Sequence, residues 1–265
     1  MSKPFPPIDA AAARRRFSRA APTYAEASGL EAEVAGRMLQ RLDYIKLAPR
    51  RILDAGSGPP QRALCRRYAK AEVFFLDYAH SMLRKRGIFR RPKAICADMA
   101  RLPLAEGEFD FVWSNMALHW AADPAAALRE FHRVLRGGGL VMFSTLGPDT
   151  LKELREAAGP GRVHAFADMH DLGDMLVGAG FSAPVMDMEV IHIEYRNRSL
   201  VADLRLSGQT NARADRPRGL AGRALAARLQ RLAPRATFEI VYGHAWRPES
   251  APRDAKTIRV FKRMP

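Results

Sequence analysis

The residues with chemistry to offer begin at Asp54. It closes a short apolar run in the stretch ILDAGSGPP, residues 52–60, and Gly56 and Gly58 follow it. Glycines let a chain turn sharply and let a ligand come close to the backbone. A helical pattern starts just beyond, and free N–H groups at a helix start attract anions. Asp77 comes 23 residues after Asp54, near the distance at which a carboxylate meets the vicinal hydroxyls of a ribose. Asp98 and Asn115 close two further apolar runs. Together they suit a nucleotide-like ligand held outside the carboxyl ends of parallel strands. Each also has a plainer reading: Asp77, Asp98 and Asn115 as turn residues, and nearby His119 as a structural histidine. Cys65 and Cys96 have neither metal-site nor redox spacing, so no metal is expected.

Such residues need strands to place them. Apolar runs predict strands at 51–54, 72–76, 93–97, 109–114 and 140–145, with helices at 62–69, 81–86 and 123–134 between them. Asp123 and Pro124 form a cap and a first helical residue, and 137–139 are a glycine turn. Alternation of strand and helix argues for an α/β, doubly wound parallel sheet. Upstream, 8–47 reads as helices broken at Pro22. Downstream, helices are expected at 149–157 and 169–179, strands at 185–195 and 237–246, and a mostly helical arginine-rich stretch at 200–232. The two late strands suggest an antiparallel addition at the sheet edge. The expected division is a helical cap over 1–48 and one main domain over 49–265, with helical lid elements near 149–180 and 198–235.

Composition narrows the class. The chain has 265 residues, of which 48% are hydrophobic, enough for one large domain with a real core. The formal net charge of +15 favours an anionic partner. No stretch of eighteen apolar residues occurs and the first residues lack an apolar core, so neither a membrane span nor a signal peptide is expected. With two cysteines, a reducing cytoplasmic setting is the simplest expectation. A nucleic-acid partner is not expected, because no KH, OB or RNP signature is present.

Five pieces together resemble the class I S-adenosylmethionine-dependent methyltransferases. They are DAGSG at 54–58, the acid Asp77, ADMARLPL at 97–104, SNMALHW at 114–120 and RVLRGGG at 133–139. The resemblance implies a seven-stranded Rossmann-like sheet and S-adenosyl-L-methionine as cofactor. It implies Asp54, Gly56, Gly58, Asp77, Tyr78, Asp98, Met99 and Asn115 as the cofactor-binding residues. A narrower resemblance is to the malonyl-[acyl-carrier protein] O-methyltransferases of biotin synthesis. It rests on FSRAAPTYAEAS at 17–28, FSTLGPDTLKELR at 143–155, HAF at 164–166, LRLSGQTN at 204–211, RPRGLAGR at 216–223 and ATFEIVYGHAW at 236–246. The same tail segments are similar, more loosely, to a mitochondrial complex I assembly factor. The chain departs from the pattern at Ser57, at Pro59-Pro60 in place of a third glycine, and at Gly137 in place of proline.

The narrower resemblance implies methylation of the free carboxylate of a malonyl thioester on an acidic acyl carrier protein. Such a carboxyl, with a pKa near 3.5, is ionised at neutral pH and needs no general base. Tyr24, Phe166 and Arg205 fall in the resembling segments and are the expected acceptor-side residues, a tyrosine hydroxyl and an arginine forming a natural carboxylate clamp. Arg213, Arg216, Arg218, Arg223, Arg228, Arg231 and Arg235 would meet the carrier, and a monomer is expected. Two other readings stay open: a methyltransferase for another small acid or RNA, and a methyltransferase-fold assembly protein with little or no activity.

Overall fold

The structure is a computed structural model that describes residues 7–60, 62–84, 93–196, 199–219, 222–232 and 234–249. It opens with three helices, α1 (Ala10–Ala20), α2 (Tyr24–Ala27) and α3 (Gly29–Arg41). The Asp9 carboxylate caps α1 by accepting from Ala12 N–H, and Pro22 lies in the turn before α2. Five strands then alternate with helices: β1 (Arg51–Ala55), α4 (Arg62–Arg67), β2 (Glu72–Asp77), α5 (His80–Leu83), β3 (Lys93–Cys96), β4 (Phe109–Ser114), α6 (Pro124–Val134) and β5 (Leu135–Leu146). The expected end of the helix at 81–86 lies partly outside the described residues. The second half adds α7 (Lys152–Ala158), α8 (Met169–Gly178), β6 (Ser182–Glu194), α9 (Leu200–Leu206), α10 (Arg223–Gln230) and β7 (Arg235–Trp246).

The seven strands form one sheet in the order β3-β2-β1-β4-β5-β7-β6. The first five run parallel, and β7 enters antiparallel to both β5 and β6. The late strands therefore do extend one edge. The last strand in sequence lies inside the sheet, however, and β6 forms the edge. All six residues of β4 are buried, as expected of a parallel strand covered on both faces. One face carries Val34 and Met38 of α3, Leu64 of α4 and Leu154 of α7. The other carries Leu128 and Phe131 of α6 with Leu172 and Leu176 of α8. The Asp110 carboxylate accepts from the N–H groups of Arg50 and Arg51, which fixes the start of β1 against β4.

The arginine-rich stretch is less helical than its composition suggests. Among its described residues only α9 and α10 are helical, and the chain after α9 wraps the N-terminal segment. Asp9 N–H donates to Ala212 O, Ala214 N–H donates to Pro7 O, and Ile8 forms a β-bridge with Arg213. Those backbone groups are satisfied by the N-terminus, so they need no helix of their own. Gly208, at φ +76°, makes the turn out of α9. A Cβ there would stand 3.0 Å from Arg16 O, so only glycine fits between α9 and α1.

Candidate active site

The parallel strands end along one edge of the sheet, and their register brings their last residues together: Ala55 pairs with Leu76, and Asp77 with Cys96. Over that edge lies a cleft, the place where open α/β sheets bind small molecules. Gly56, Gly58, Asp77, Tyr78, Asp98, Met99 and Asn115 line it, along with Tyr24. Seven of the eight residues expected for the cofactor thus share one cavity. The eighth, Asp54, is buried one step deeper, in an inner pocket that also touches Tyr24, Gly56 and Asn115.

The glycines act differently from one another. Gly56 has φ +73°, and a Cβ on it would lie 2.2 Å from Ala117 Cβ. Its lack of a side chain is required by the chain beyond β4 before any ligand arrives. Gly58, at φ +57°, has the Tyr24 ring as its nearest neighbour, at 3.7 Å from a notional Cβ. Asp77 organises this loop: its carboxylate accepts from Gly58 N–H at 3.0 Å and from Ala79 N–H at 2.7 Å. Asp98 accepts from Ala100 N–H, so it is both a turn cap and a cleft residue. Asn115 donates to Glu31 O and accepts from the Ser144 hydroxyl, which ties α3 to β5. Pro60 does not begin α4, which starts at Arg62. At six residues, that helix offers little as an anion site.

Electrostatically, the region favours a cation. Burial pushes the Asp54 carboxyl up to about 8, and the Asp77 charge adds to the shift. Asp77 is raised by burial to about 6, opposed by its two backbone N–H donors. The Tyr78 hydroxyl is buried on the cleft wall with no hydrogen-bond partner among the described residues. A nucleoside with a positively charged tail fits this set. Apolar Leu76, Met82, Ala97, Met99 and Met116 could flank a base, the Asp77 carboxylate could take a diol, and the buried acids could take a cation.

A second, larger cavity opens beside the first. Its walls are apolar in part, with Leu146, Leu151, Leu154, Val163, Leu225, Leu229 and Phe238. Arg16, Arg162, Arg205, Arg216 and Arg218 also line it. Phe166 and Arg205 lie here, whereas Tyr24 lies in the cleft. The two cavities meet at Trp120 and Gln209, which line both. Trp120 stacks edge-on against Phe17 and His164, and His119 packs edge-on against Phe166. Burial lowers His119 to about 3 and His164 to about 4. Both rings are therefore neutral at pH 7, and His164 Nε2 accepts from Ala212 N–H. His119 lines neither cavity; its Nδ1 bonds the Thr145 hydroxyl, and its ring packs on Trp120 and Phe166.

Comparison with known proteins decides the family. A family model described as a methyltransferase domain matches residues 53–143. The malonyl-[acyl-carrier protein] O-methyltransferase of Laribacter hongkongensis is 48% identical over 92% of this chain and 92% of its own. The chain belongs to the malonyl-[acyl-carrier protein] O-methyltransferase family. The enzyme of that name from Methylovorus is 46% identical over 92% of this chain and 90% of its own. Among solved structures, the YcgJ protein of Bacillus subtilis shares the fold, with a TM-score of 0.55 at 18% identity over 80% of this chain and 98% of its own. So does phosphoethanolamine N-methyltransferase 2 of Haemonchus contortus, with a TM-score of 0.51 at 17% identity over 81% of this chain and 53% of its own. As a member of this family the chain is a methyltransferase that uses S-adenosyl-L-methionine. No described helix is long and apolar enough to cross a membrane, and no metal-ligating cluster occurs among the described residues.

Sequence reasoning missed several residues of the site. Trp120 and Gln209 lie inside quoted motifs, but nothing in their types announced that they join two cavities. Arg16 is one of three consecutive arginines in α1, and its guanidinium bonds the carbonyls of Thr210 and Asn211. Glu31 had a legible signal: it shares one face of α3 with Val34 and Met38. A lone acid on an apolar stripe asks for a partner.

Proposed function

We propose that this chain transfers a methyl group from S-adenosylmethionine to the free carboxylate of a malonyl thioester carried on an acyl carrier protein. The observation that carries this reading is the junction at Trp120 and Gln209, where the cofactor cleft opens into a cavity with apolar walls and several arginines. The apolar walls suit a thioester arm, and an arginine suits a carboxylate.

When bound, S-adenosylmethionine supplies an electrophilic methyl group, so that an O–C bond forms while a C–S bond breaks, its electron pair remains on sulfur, and no proton moves. The chain's own residues orient and desolvate. Asp77 would hold the ribose hydroxyls, with Gly56, Gly58, Asp98, Met99 and Asn115 shaping the cleft and Tyr78 offering its free hydroxyl. Arg205 would clamp the acceptor carboxylate. Phe166, packed on His119, excludes water behind it. Tyr24 lies over Gly58 and so guards the reacting end from the cofactor side. Burial makes His119 and His164 weak bases, which agrees with chemistry that needs no general base. The clamp must stay modest, because the acceptor loses charge during transfer, and affinity must come from the carrier.

The domain division follows from the same reading. Residues 1–48 act as a cap over the cleft, and α7, α8, α9 and α10 act as lid elements around the second cavity. Exposed Arg218, Arg223, Arg228, Arg231 and Arg235 would meet the acidic carrier. Arg213 and Arg216 are engaged internally with Asp215 and Asp9. A cytoplasmic monomer is the simplest form for this work. The test is mass spectrometry of malonyl-carrier protein incubated with the chain and S-adenosylmethionine. A carrier-bound methyl ester is expected. Methylation of RNA or of free small acids alone would overturn the reading. Rescue of a biotin auxotroph by this chain checks the same conclusion in cells.

A further inference from the structure

Glu31 projects from α3 into the inner pocket that also contains Asp54, Asn115, Tyr24 and Ser57. It is 7% exposed. One carboxylate oxygen, Oε1, accepts from the Gln209 side chain. The other, Oε2, is fully buried and has no hydrogen-bond partner among the described residues. A buried carboxylate oxygen left without a donor costs free energy that a fold does not leave uncompensated without reason. Nothing structural requires an acid here, because a glutamine would keep the bond to Gln209 and avoid burying a charge. The pocket is continuous with the cofactor cleft, since Tyr24, Gly56 and Asn115 line both. It contains two buried carboxylates, Glu31 and Asp54, and among the described residues no lysine or arginine lines it. A small cationic group with N–H donors is the complement of such a pocket.

We propose that Glu31 Oε2 receives the α-ammonium group at the methionine end of the cofactor, making Glu31 a binding residue contributed by the N-terminal helices. This rests on the S-adenosylmethionine reading above. It gives the helical cap a direct part in cofactor binding, beyond covering the cleft. It also accounts for Gln209: by holding Oε1, it turns Oε2 toward the pocket. Burial raises the Glu31 carboxyl above its usual range, and an arriving ammonium offsets that penalty.

The test compares two ligands by calorimetry on the full chain. S-adenosylhomocysteine carries the amino acid end, and methylthioadenosine lacks it. Glu31→Gln keeps an oxygen for Gln209 but presents an amide in place of the free carboxylate oxygen. The variant should bind S-adenosylhomocysteine about tenfold more weakly or worse, as expected for a lost charge-assisted bond. It should bind methylthioadenosine as the wild type does, and it should melt no lower than wild type. Equal weakening of both ligands would make Glu31 a structural residue and overturn the proposal, as would unchanged affinity for both. Should Glu31→Gln fail to fold, Glu31→Asp is measured in its place, with the same selective loss expected. Failure of wild type to bind either ligand would sink the cofactor reading itself, a result distinct from these.

Discussion

At the residue scale, the motif that first suggests a nucleotide site is doing two jobs. Gly56 was legible as a turn glycine, and its positive φ agrees. What the sequence could not reveal is that Ala117, sixty-one positions on, closes over it. Gly56→Ala should therefore destabilise the ligand-free protein by about 2–4 kcal/mol, combining overpacking with the left-handed backbone penalty. Adding Ala117→Gly should recover the overpacking part but not the backbone part. Thermal melts of the four proteins in the cycle check this, and simple additivity would contradict it. Asp54 gives a pH prediction. Its carboxyl is raised from 3.8 to about 8 by burial and then by Asp77. Between those values the folded chain binds more protons than the unfolded one, so this group's contribution to stability falls as pH rises. Asp54→Asn should melt close to wild type near pH 4 and above it at pH 8. The gap should grow by up to about 1.4 kcal/mol per pH unit. A gap that does not widen with pH would mean that the carboxyl ionises freely in the fold. Asp98 and Asn115 teach a related lesson. Asp98 makes the local bond that a plain turn reading predicts, Asn115 instead bonds Glu31 and Ser144 far away in sequence, and both line the cleft.

At the element scale, the first three parallel strands were legible because their apolar runs are closed by Asp54, Asp77 and Asp98, and the other two as apolar runs alone. Among the helices between them, α6 carries its own cap: Asp123 accepts from Ala126 N–H, as its placement before Pro124 predicts. The stretch between α9 and α10 was not legible as a wrap, because its bonds go to residues 7–9, far away in sequence. There Arg16 joins α1 to Thr210 and Asn211 through a half-buried guanidinium. Arg16→Leu should loosen both cavities together, since Gln209 adjoins that contact and lines both. We expect weaker S-adenosylhomocysteine binding and a higher KM for the acceptor, each severalfold, with a fall in stability of about 1–3 kcal/mol from the carbonyls left unpaired. An effect on the acceptor alone would show that Arg16 serves only the second cavity.

At the scale of the whole molecule, charge is the property read most directly from composition. The net charge of +15 is general, but α10 and the chain leading to it present Arg218, Arg223, Arg228 and Arg231 to solvent beside the second cavity. Exposed charges are screened beyond a Debye length of about 8 Å at physiological ionic strength. The KM for malonyl-carrier protein should therefore rise with salt, while affinity for S-adenosylhomocysteine in its enclosed cleft stays nearly constant. The double variant Arg228→Glu, Arg231→Glu should raise that KM severalfold at low salt and flatten its salt dependence, with kcat unchanged. A wild-type KM indifferent to salt would remove the arginines from carrier docking. The family was legible because its cofactor motifs are local strings. The meeting of the two cavities was not, because Trp120 and Gln209 are brought together only by folding.

The place of β7 has a consequence for how the polypeptide is made. A ribosome delivers β1 to β5 first, and those strands can pair as they emerge. The outer edge of β5, whose residues 140–146 are all buried in the finished protein, then waits without its neighbour until residues 235–246 appear. During that interval of about ninety residues the nascent chain displays an apolar strand with unpaired N–H and C=O groups, the kind of surface that templates aggregation. β6 emerges earlier but cannot fill the gap, because it takes its place only on the far side of β7. Synthesis of the native sheet is thus completed from the inside, late, and the stretch of translation between β5 and β7 is when the edge of β5 is open to wrong pairing.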